Sequence, residues 1–250
     1  MKVPRTIYLA IAFVIFAALP AMAEVVTFED GAYHQLNGIY TEVAVYDTAE
    51  NQPTRVELIT GGVVSNALTV WQTSSAVISG GTVAGDLATY DTASLAITGG
   101  YVARLWPVHY STVDISGGLV LYSMAFHSSV VDMSGGEISF LETKQGSRVN
   151  VSGGDIGEIC AWDSSIITLH GYDFVTTDGL SLSGDQVLGR SGTLGGKWLD
   201  GTPWTMRILR RDVGTTISTT ISPEPTTLGL FVLGGSAMLM RRQGKASATS

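Results

Sequence analysis

The sequence predicts an all-β protein built around a single-stranded parallel β-helix, a right-handed β-solenoid with about 18–19 residues per coil. A C-terminal β cap and a terminal transmembrane helix are expected to follow it. Three observations support this: a glycine motif recurs at a near-constant period, apolar and polar residues alternate beside it, and glycine is abundant while charge is scarce. Of 250 residues, 30 are glycine, which is above the usual share. Charged residues make up 14%, which is below the usual share.

The glycine motif is an apolar residue, a Ser or Thr, and two glycines. It occurs six times and ends in a degenerate copy, with its first glycines at positions 61, 80, 99, 117, 135, 153 and 171. Successive copies are therefore 19 positions apart twice and then 18 positions apart four times. A period this constant is typical of stacked structural units.

Short strands are indicated on both sides of the motif. Residues 113–115 (Val-Asp-Ile) and 131–133 (Val-Asp-Met) alternate with period 2, which places the apolar pair on one face and Asp on the other. Helices are disfavoured because β-branched residues and paired glycines interrupt each stretch. The residues expected to stack inward include Val64, Val83, Leu95, Val102, Val113, Val120, Val131, Ile138, Val149, Ile156 and Ile167.

The paired glycines are predicted to form a corner of each coil, because glycine adopts positive φ at little steric cost. The Ser or Thr before them is expected to hydrogen-bond to the local backbone, with an exposed hydroxyl ladder facing a ligand or ice as the alternative. A left-handed helix of hexapeptides would have coils of the same length. Asp114 and Asp132 interrupt the hexapeptide pattern, which favours the right-handed form.

The first 23 residues have the pattern of an export signal. Lys2 and Arg5 precede an apolar run, and Ala21 and Ala23 form a small-x-small cleavage site before Glu24. The mature chain is therefore expected to start at Glu24. An uncleaved anchor is the alternative, but the apolar run is shorter than the ~20 residues of a spanning helix.

The other end carries three parts in a fixed order. Pro223, Glu224 and Pro225 come first, an apolar transmembrane segment over 226–240 follows, and Arg241 and Arg242 close it. The 15-residue segment would span about 22 Å as a helix, shorter than the ~30 Å hydrocarbon core, so a short or tilted span is expected. The paired arginines would stay on the cytoplasmic side.

This tail resembles the PEP-CTERM sorting signal of bacterial surface proteins, a family also catalogued as the ice-binding protein C-terminal domain. The resemblance covers residues 223–250 only. It implies export, transient retention in the membrane through the C-terminal helix, and processing by an exosortase-like enzyme near the Pro-Glu-Pro. The catalogue name transfers no ice-binding activity to this chain.

The segments between the ends follow from where the period starts and stops. The tetrapeptide Tyr-Asp-Thr-Ala at 46–49 recurs at 90–93, which indicates an earlier coil, and Trp198 and Trp204 are expected to cover the last coil. The predicted organisation is a signal peptide 1–23, an N-terminal cap 24–45, β-solenoid repeats 46–171, a C-terminal β cap 172–213, a spacer 214–222 and the sorting tail 223–250.

The charge balance argues against one class of partner. The formal net charge is −8, and without the two ends the chain keeps 9 basic and 21 acidic residues, about −12. Nucleic-acid binding is not expected because phosphate contacts need clustered Lys and Arg. The one cysteine, Cys160, excludes an internal disulfide framework and is predicted to be a small buried residue rather than a cross-linking thiol.

No catalytic residue, cofactor or metal site is predicted. His109 and His127 are one period apart, as are Asp114 and Asp132, so each pair is expected to stack on adjacent coils. Both are interpreted as surface pairs, with metal binding as the alternative. Polysaccharide lyases and hydrolases on β-helices build their clefts from long loops. The coils here have constant length and no such loops, so nothing is expected to supply a cleft.

These observations predict a non-enzymatic exported protein at the cell membrane or surface, or released into the extracellular matrix, that presents a β-helix for adhesion or structure. Its expected partners are the export machinery, an exosortase-like enzyme, the membrane and, as a candidate, extracellular polysaccharide. The first alternative is a carbohydrate-binding or carbohydrate-active β-helix that uses Trp106, Tyr110 and Trp162. The second is an ice- or surface-binding protein.

Overall fold

The computed structural model describes residues 24–210 and 215–221, and all secondary structure in this part is β. The first seven strands are β1 (Glu24–Phe28), β2 (Tyr33–Leu36), β3 (Ile39–Val45), β4 (Arg55–Leu58), β5 (Val63–Val70), β6 (Ser75–Ile78) and β7 (Thr82–Thr89). Five long strands follow: β8 (Ser94–Pro107), β9 (Thr112–Ala125), β10 (Val130–Thr143), β11 (Arg148–Ala161) and β12 (Ile166–Thr177). The last are β13 (Ser181–Ser183), β14 (Gln186–Leu188), β15 (Ser191–Lys197), β16 (Pro203–Arg210) and β17 (Thr216–Ile221).

The strands stack in two parallel ladders along the solenoid. One contains β2, β4, β6 and the first parts of β8 to β12. The other contains β1, β3, β5, β7 and the second parts of β8 to β11. The register advances one coil at a time, with Ile97 beside Ile115 and Ile115 beside Met133. The predicted β-solenoid is confirmed, with about eight turns, while its hand stays a prediction.

The core is a column of inward apolar side chains. All eleven residues predicted to stack inward are 2% exposed or less. A further inward ladder, outside the predicted set, stacks on the same column: Leu68, Leu87, Leu105, Leu141 and Ile159. Burying each such side chain stabilises the fold by roughly 1.5–3 kcal/mol, so these columns are the main source of stability.

The Gly-Gly corner is confirmed, and its two glycines are needed for different reasons. In five of the six pairs the second glycine has positive φ, for example 79° at Gly118 and Gly136. The first glycine lies against the coil below: a Cβ on Gly135 would be 2.5 Å from the carbonyl oxygen of Ser116. Only a residue without a side chain fits between the coils there.

A second corner, which the glycine motif does not indicate, follows the second ladder. Its turn has a non-glycine residue with positive φ, 52–61°, at Gln72, Asp91, His109, His127, Gln145 and Asp163. Two residues later a small side chain is buried, as at Ser111 and Ser147. Their hydroxyl oxygens accept hydrogen bonds from the backbone N–H groups of Val108 and Lys144, at 3.1 and 3.2 Å. These bonds satisfy backbone donors inside the coil.

The predicted N-terminal cap, 24–45, contains β1, β2 and β3, which already belong to the stack. β1 pairs with β3, and β2 pairs with β4. The rings of Phe28 and His34 lie 4.3 Å apart between centroids, and Phe28 packs against the core at this end.

A buried carboxylate holds the loop between β3 and β4 in place. Asp47, 7% exposed, accepts hydrogen bonds from the hydroxyls of Thr73 at 2.7 Å and Ser74 at 2.6 Å. Burial raises the pKa of Asp47, but the bonds from Ser74 and Thr73 outweigh it, so the pKa lies below its ordinary value. The ionised carboxylate therefore joins this loop to the next coil.

After Gly171 the chain leaves the repeat and forms a hairpin. The second part of β12 pairs antiparallel with β15, and β15 pairs antiparallel with β16 around the Asp200–Gly201 turn, as predicted. β16 then takes the place of the next coil on β11, with Arg207 beside Glu158.

The predicted spacer, 214–222, contributes a strand instead. β17 lies parallel to β12, with Thr216 beside Ile166. Ile217 and Thr219 alternate inward and are 1% and 2% exposed, so this Thr- and Ser-rich segment continues the first ladder.

Both chain ends lie outside the described residues. These ends hold the predicted signal peptide, the sorting motif and the transmembrane segment 226–240. Within 24–210 and 215–221, no helix is long and apolar enough to cross a membrane.

Candidate functional site

An acidic ladder forms one side of the candidate site. Asp132 lies beside Asp114 on one side and Asn150 on the other, and both aspartates are exposed. The Asn150 amide donates to Asp132 Oδ1 at 2.7 Å. The predicted outward stack is therefore present. No group of three His, Cys, Asp or Glu side chains suited to a metal ion occurs in the described part of the chain.

A ladder of hydroxyls runs next to it. The Ser or Thr of every Gly-Gly motif is exposed: Thr60, Ser79, Thr98, Ser116, Ser134 and Ser152. The expected bond to the local corner is not what forms. Thr98 and Ser152 donate instead to the carbonyls of Ile78 and Met133 in the preceding coil, at 3.5 and 3.3 Å. The motif lies within the parallel ladder, so backbone carbonyls of the preceding coil are within reach of these two hydroxyls.

The hairpin of β15 and β16 forms the opposite wall. The Trp198 indole N–H donates to the carbonyl of Gly154 at 2.9 Å, which fixes the hairpin turn to a Gly-Gly corner. The Trp198 ring stacks on Trp204 with centroids 4.6 Å apart, and the two residues are 2% and 6% exposed. In the turn, the Thr202 backbone N–H lowers the pKa of Asp200, which is therefore a carboxylate at neutral pH.

A groove lies between the ladders and the hairpin. It comprises two adjoining cavities of about 810 and 490 Å³, which share the lining residues Ser134, Ser152 and Leu199. The expectation that nothing supplies a cleft is wrong. The coils have no long loops, as predicted, but the C-terminal hairpin returns beside them and builds a wall from a different part of the chain.

The groove is acidic. Its lining includes the carboxylates of Asp114, Asp132, Asp155 and Asp200 and no Lys or Arg from the described residues. The Trp204 indole N–H, in a side chain that lines the groove, has no hydrogen-bond partner within the described part. The sequence offered the Asp and Ser positions through their period, but it gave no sign that Trp204 faces them.

The aromatic residues suggested for carbohydrate binding do not form one site. Trp106 stacks on Phe126 with centroids 6.1 Å apart and donates its N–H to Asp86 at 2.8 Å. Trp162 lies three coils further on, and Tyr110 is 69% exposed in a corner. The Trp106 ring, which packs on a neighbouring coil, is not open for a sugar.

The remaining candidates are placed as single features. His109 and His127 are neighbours on adjacent coils, as expected, with ring centroids 5.3 Å apart and the ring planes tilted by 38°. His109 Nδ1 lies 3.6 Å from Asp91 Oδ1. Cys160 is 4% exposed, which confirms the predicted burial. Glu24 begins β1, whereas the other sorting and cleavage residues, Ala21, Ala23, Pro223, Glu224, Pro225, Arg241 and Arg242, lie outside the described residues.

Comparison with protein-family models, with curated proteins and with solved structures finds no significant match to this chain. The fold and the groove are therefore interpreted from their own geometry, and the resemblance of the tail rests on its motif alone.

Proposed function

We propose that this chain is a non-enzymatic exported protein, held at the cell surface by its C-terminal tail, that presents a β-solenoid for adhesion or matrix structure. The observation that carries the proposal is the unbroken stack: every coil from 55 to 169 repeats the same inward ladders and short corners. Such a stack extends in one direction and displays side chains at regular intervals.

The ends of the chain support the location. The predicted signal at 1–23 supplies export, and the tail at 223–250 supplies retention through a transmembrane helix over 226–240 and processing near Pro223. The acidic exterior keeps such rods dispersed. We propose the right-handed form of the coil on the basis of the interrupted hexapeptide pattern.

Fractionation of cells tests the location. The full chain is expected in the membrane fraction, and a chain that ends at Ser222 is expected to be released. Arg241→Gln with Arg242→Gln is a milder variant that leaves the apolar segment intact and should weaken retention. If the truncated chain fractionates like the full chain, the sorting proposal is wrong.

A second test addresses the absence of activity. The purified protein should release no reducing ends from neutral or acidic polysaccharides during long incubation. Release that is abolished by Asp132→Ala would instead identify a hydrolase.

The ice- or surface-binding alternative is less well supported. It needs a flat hydroxyl face, and the hairpin stands beside the hydroxyl ladder at Ser134 and Ser152. Ser79 is also engaged with Glu57 at 2.6 Å.

A further inference from the structure

We infer that the groove binds an uncharged polysaccharide chain laid along the solenoid axis. This inference deepens the proposed function, because it names the partner that a surface-displayed rod would hold. It depends on the groove itself and not on the stacked aromatic residues of the other faces.

The floor of the groove matches a polymer with repeated hydroxyl groups. Successive coils present Ser116, Ser134 and Ser152 beside Asp132 and Asn150. Coils are ~4.8 Å apart, so the four coils that line the groove cover about 14 Å, the length of a few linked sugar rings. Hydroxyls both donate and accept, and carboxylates accept only, so this surface can pair with sugar hydroxyls at each step.

The wall of the groove adds an apolar surface and an unused donor. Leu199, 42% exposed, stands at the lip and lines both cavities. The Trp204 side chain is 6% exposed, and its N–H has no partner in the described part of the chain. A buried donor without a partner is uncommon in folded proteins, and a ligand oxygen would satisfy it once a small side-chain shift in the groove wall uncovers the nitrogen.

The charge of the groove selects among polysaccharides. The four carboxylates, with neither Lys nor Arg among the described lining residues, would repel uronic acids and sulfated sugars. An uncharged glycan keeps its hydrogen bonds to the carboxylates without this repulsion. A basic peptide is the competing ligand class, because the same carboxylates would attract it. The experiment below distinguishes it from an uncharged glycan.

Affinity electrophoresis of the full-length protein in a neutral detergent tests the inference. The gels contain soluble mixed-linkage β-glucan, glucomannan, xylan, dextran or polygalacturonate. At least one uncharged glycan should retard the protein, and polygalacturonate should not. Asp132→Ala with Ser134→Ala should weaken retardation about tenfold, the effect of losing one or two hydrogen bonds.

Two further variants separate binding from folding. Ser183→Ala with Asp185→Ala removes the same residue types at the same spacing from an exposed hairpin away from the groove, and should bind like wild type. Trp204→Phe keeps an aromatic ring but lacks the N–H, so it should bind more weakly. Because the smaller ring leaves a cavity beside Trp198, its thermal midpoint should fall, and binding is measured well below that midpoint.

Three results would overturn the inference: no retardation by any uncharged glycan, equal retardation of the groove and control variants, or binding of poly-lysine in place of glycans. Each of these leaves the fractionation test of surface location unaffected. Conversely, glycan binding by a protein that is not retained at the membrane would refute only the proposed location.

Discussion

Replacing Gly135 with alanine tests why the repeat needs its first glycine. The added Cβ would lie 2.5 Å from the carbonyl oxygen of Ser116, whereas real Cβ contacts are essentially never under 3.0 Å. The two coils must therefore separate by about 0.5 Å, which already forfeits a sizeable part of the local contact energy. Overpacking of this kind costs about 1–3 kcal/mol, and each ladder hydrogen bond that is stretched costs a further ~1 kcal/mol. We expect Gly135→Ala to lower the free energy of unfolding by about 3 kcal/mol.

Urea unfolding followed by circular dichroism measures this loss. With a slope of roughly 1–3 kcal/mol per molar urea, the midpoint should fall by more than ~1 M. Hydrogen exchange should show the added exposure concentrated in the coils on either side of Gly135, because repeat proteins lose structure locally. The matched control is Gly184→Ala, where φ is 61° and no atom lies within 4 Å of the new Cβ, so only strain of about 1–2 kcal/mol is expected. Equal losses in both variants would refute the close-approach argument.

The other predictions concern the corners and the cap. The stabilisation from Asp47 is expected to be complete above the ordinary Asp pKa and to fade as the pH falls through its lowered folded-state pKa. Asp47→Asn should therefore reduce the loss of stability in the acid range below the ordinary Asp pKa; an unchanged acid profile would contradict this. Asp163→Val should destabilise the protein by about 1–2 kcal/mol, because a β-branched residue resists positive φ. Asp163→Gly should be close to neutral in thermal unfolding, and equal stability of the two variants would contradict the requirement for positive φ at this corner. Trp198→Phe should speed hydrogen exchange in the hairpin more than in β9, since it removes the bond to Gly154; uniform exchange would show that the bond does not hold the wall.

The solenoid could be predicted because its cause is periodic. The Gly-Gly motif and the inward β-branched residues recur in register, and each coil needs only its neighbours to bury them. The second corner carries a comparable signal, though a less conspicuous one than paired glycines. Asp91, His109, His127, Gln145 and Asp163 recur with the same period as the motif, and Asp and His are among the side chains that tolerate positive φ best.

The groove could not be predicted in this way. It depends on a hairpin that occurs once, and on a bond between Trp198 and Gly154, 44 residues apart. Nothing in the local pattern of β15 or β16 specifies which coil they meet. The strand β17 could not be predicted for a related reason: its Thr and Ser residues suit a linker as well as a strand, and only pairing with β12 decides between them.

The way the rod is closed has a consequence for its synthesis. Neighbouring coils join residues one period apart, so each can form on its predecessor as the chain emerges, with little loop entropy to overcome. The strands that close the stack, β16 and β17, pair over longer separations. Arg207 pairs with Glu158 and Thr216 pairs with Ile166, 49 and 50 positions earlier in the chain. Until those late strands dock, the growing end exposes an unpaired strand edge that invites other chains. β16 and β17 therefore end the addition of strands to the stack. A chain cut before residue 203 would lack both strands and would keep an unpaired strand edge on which other copies of the chain could assemble.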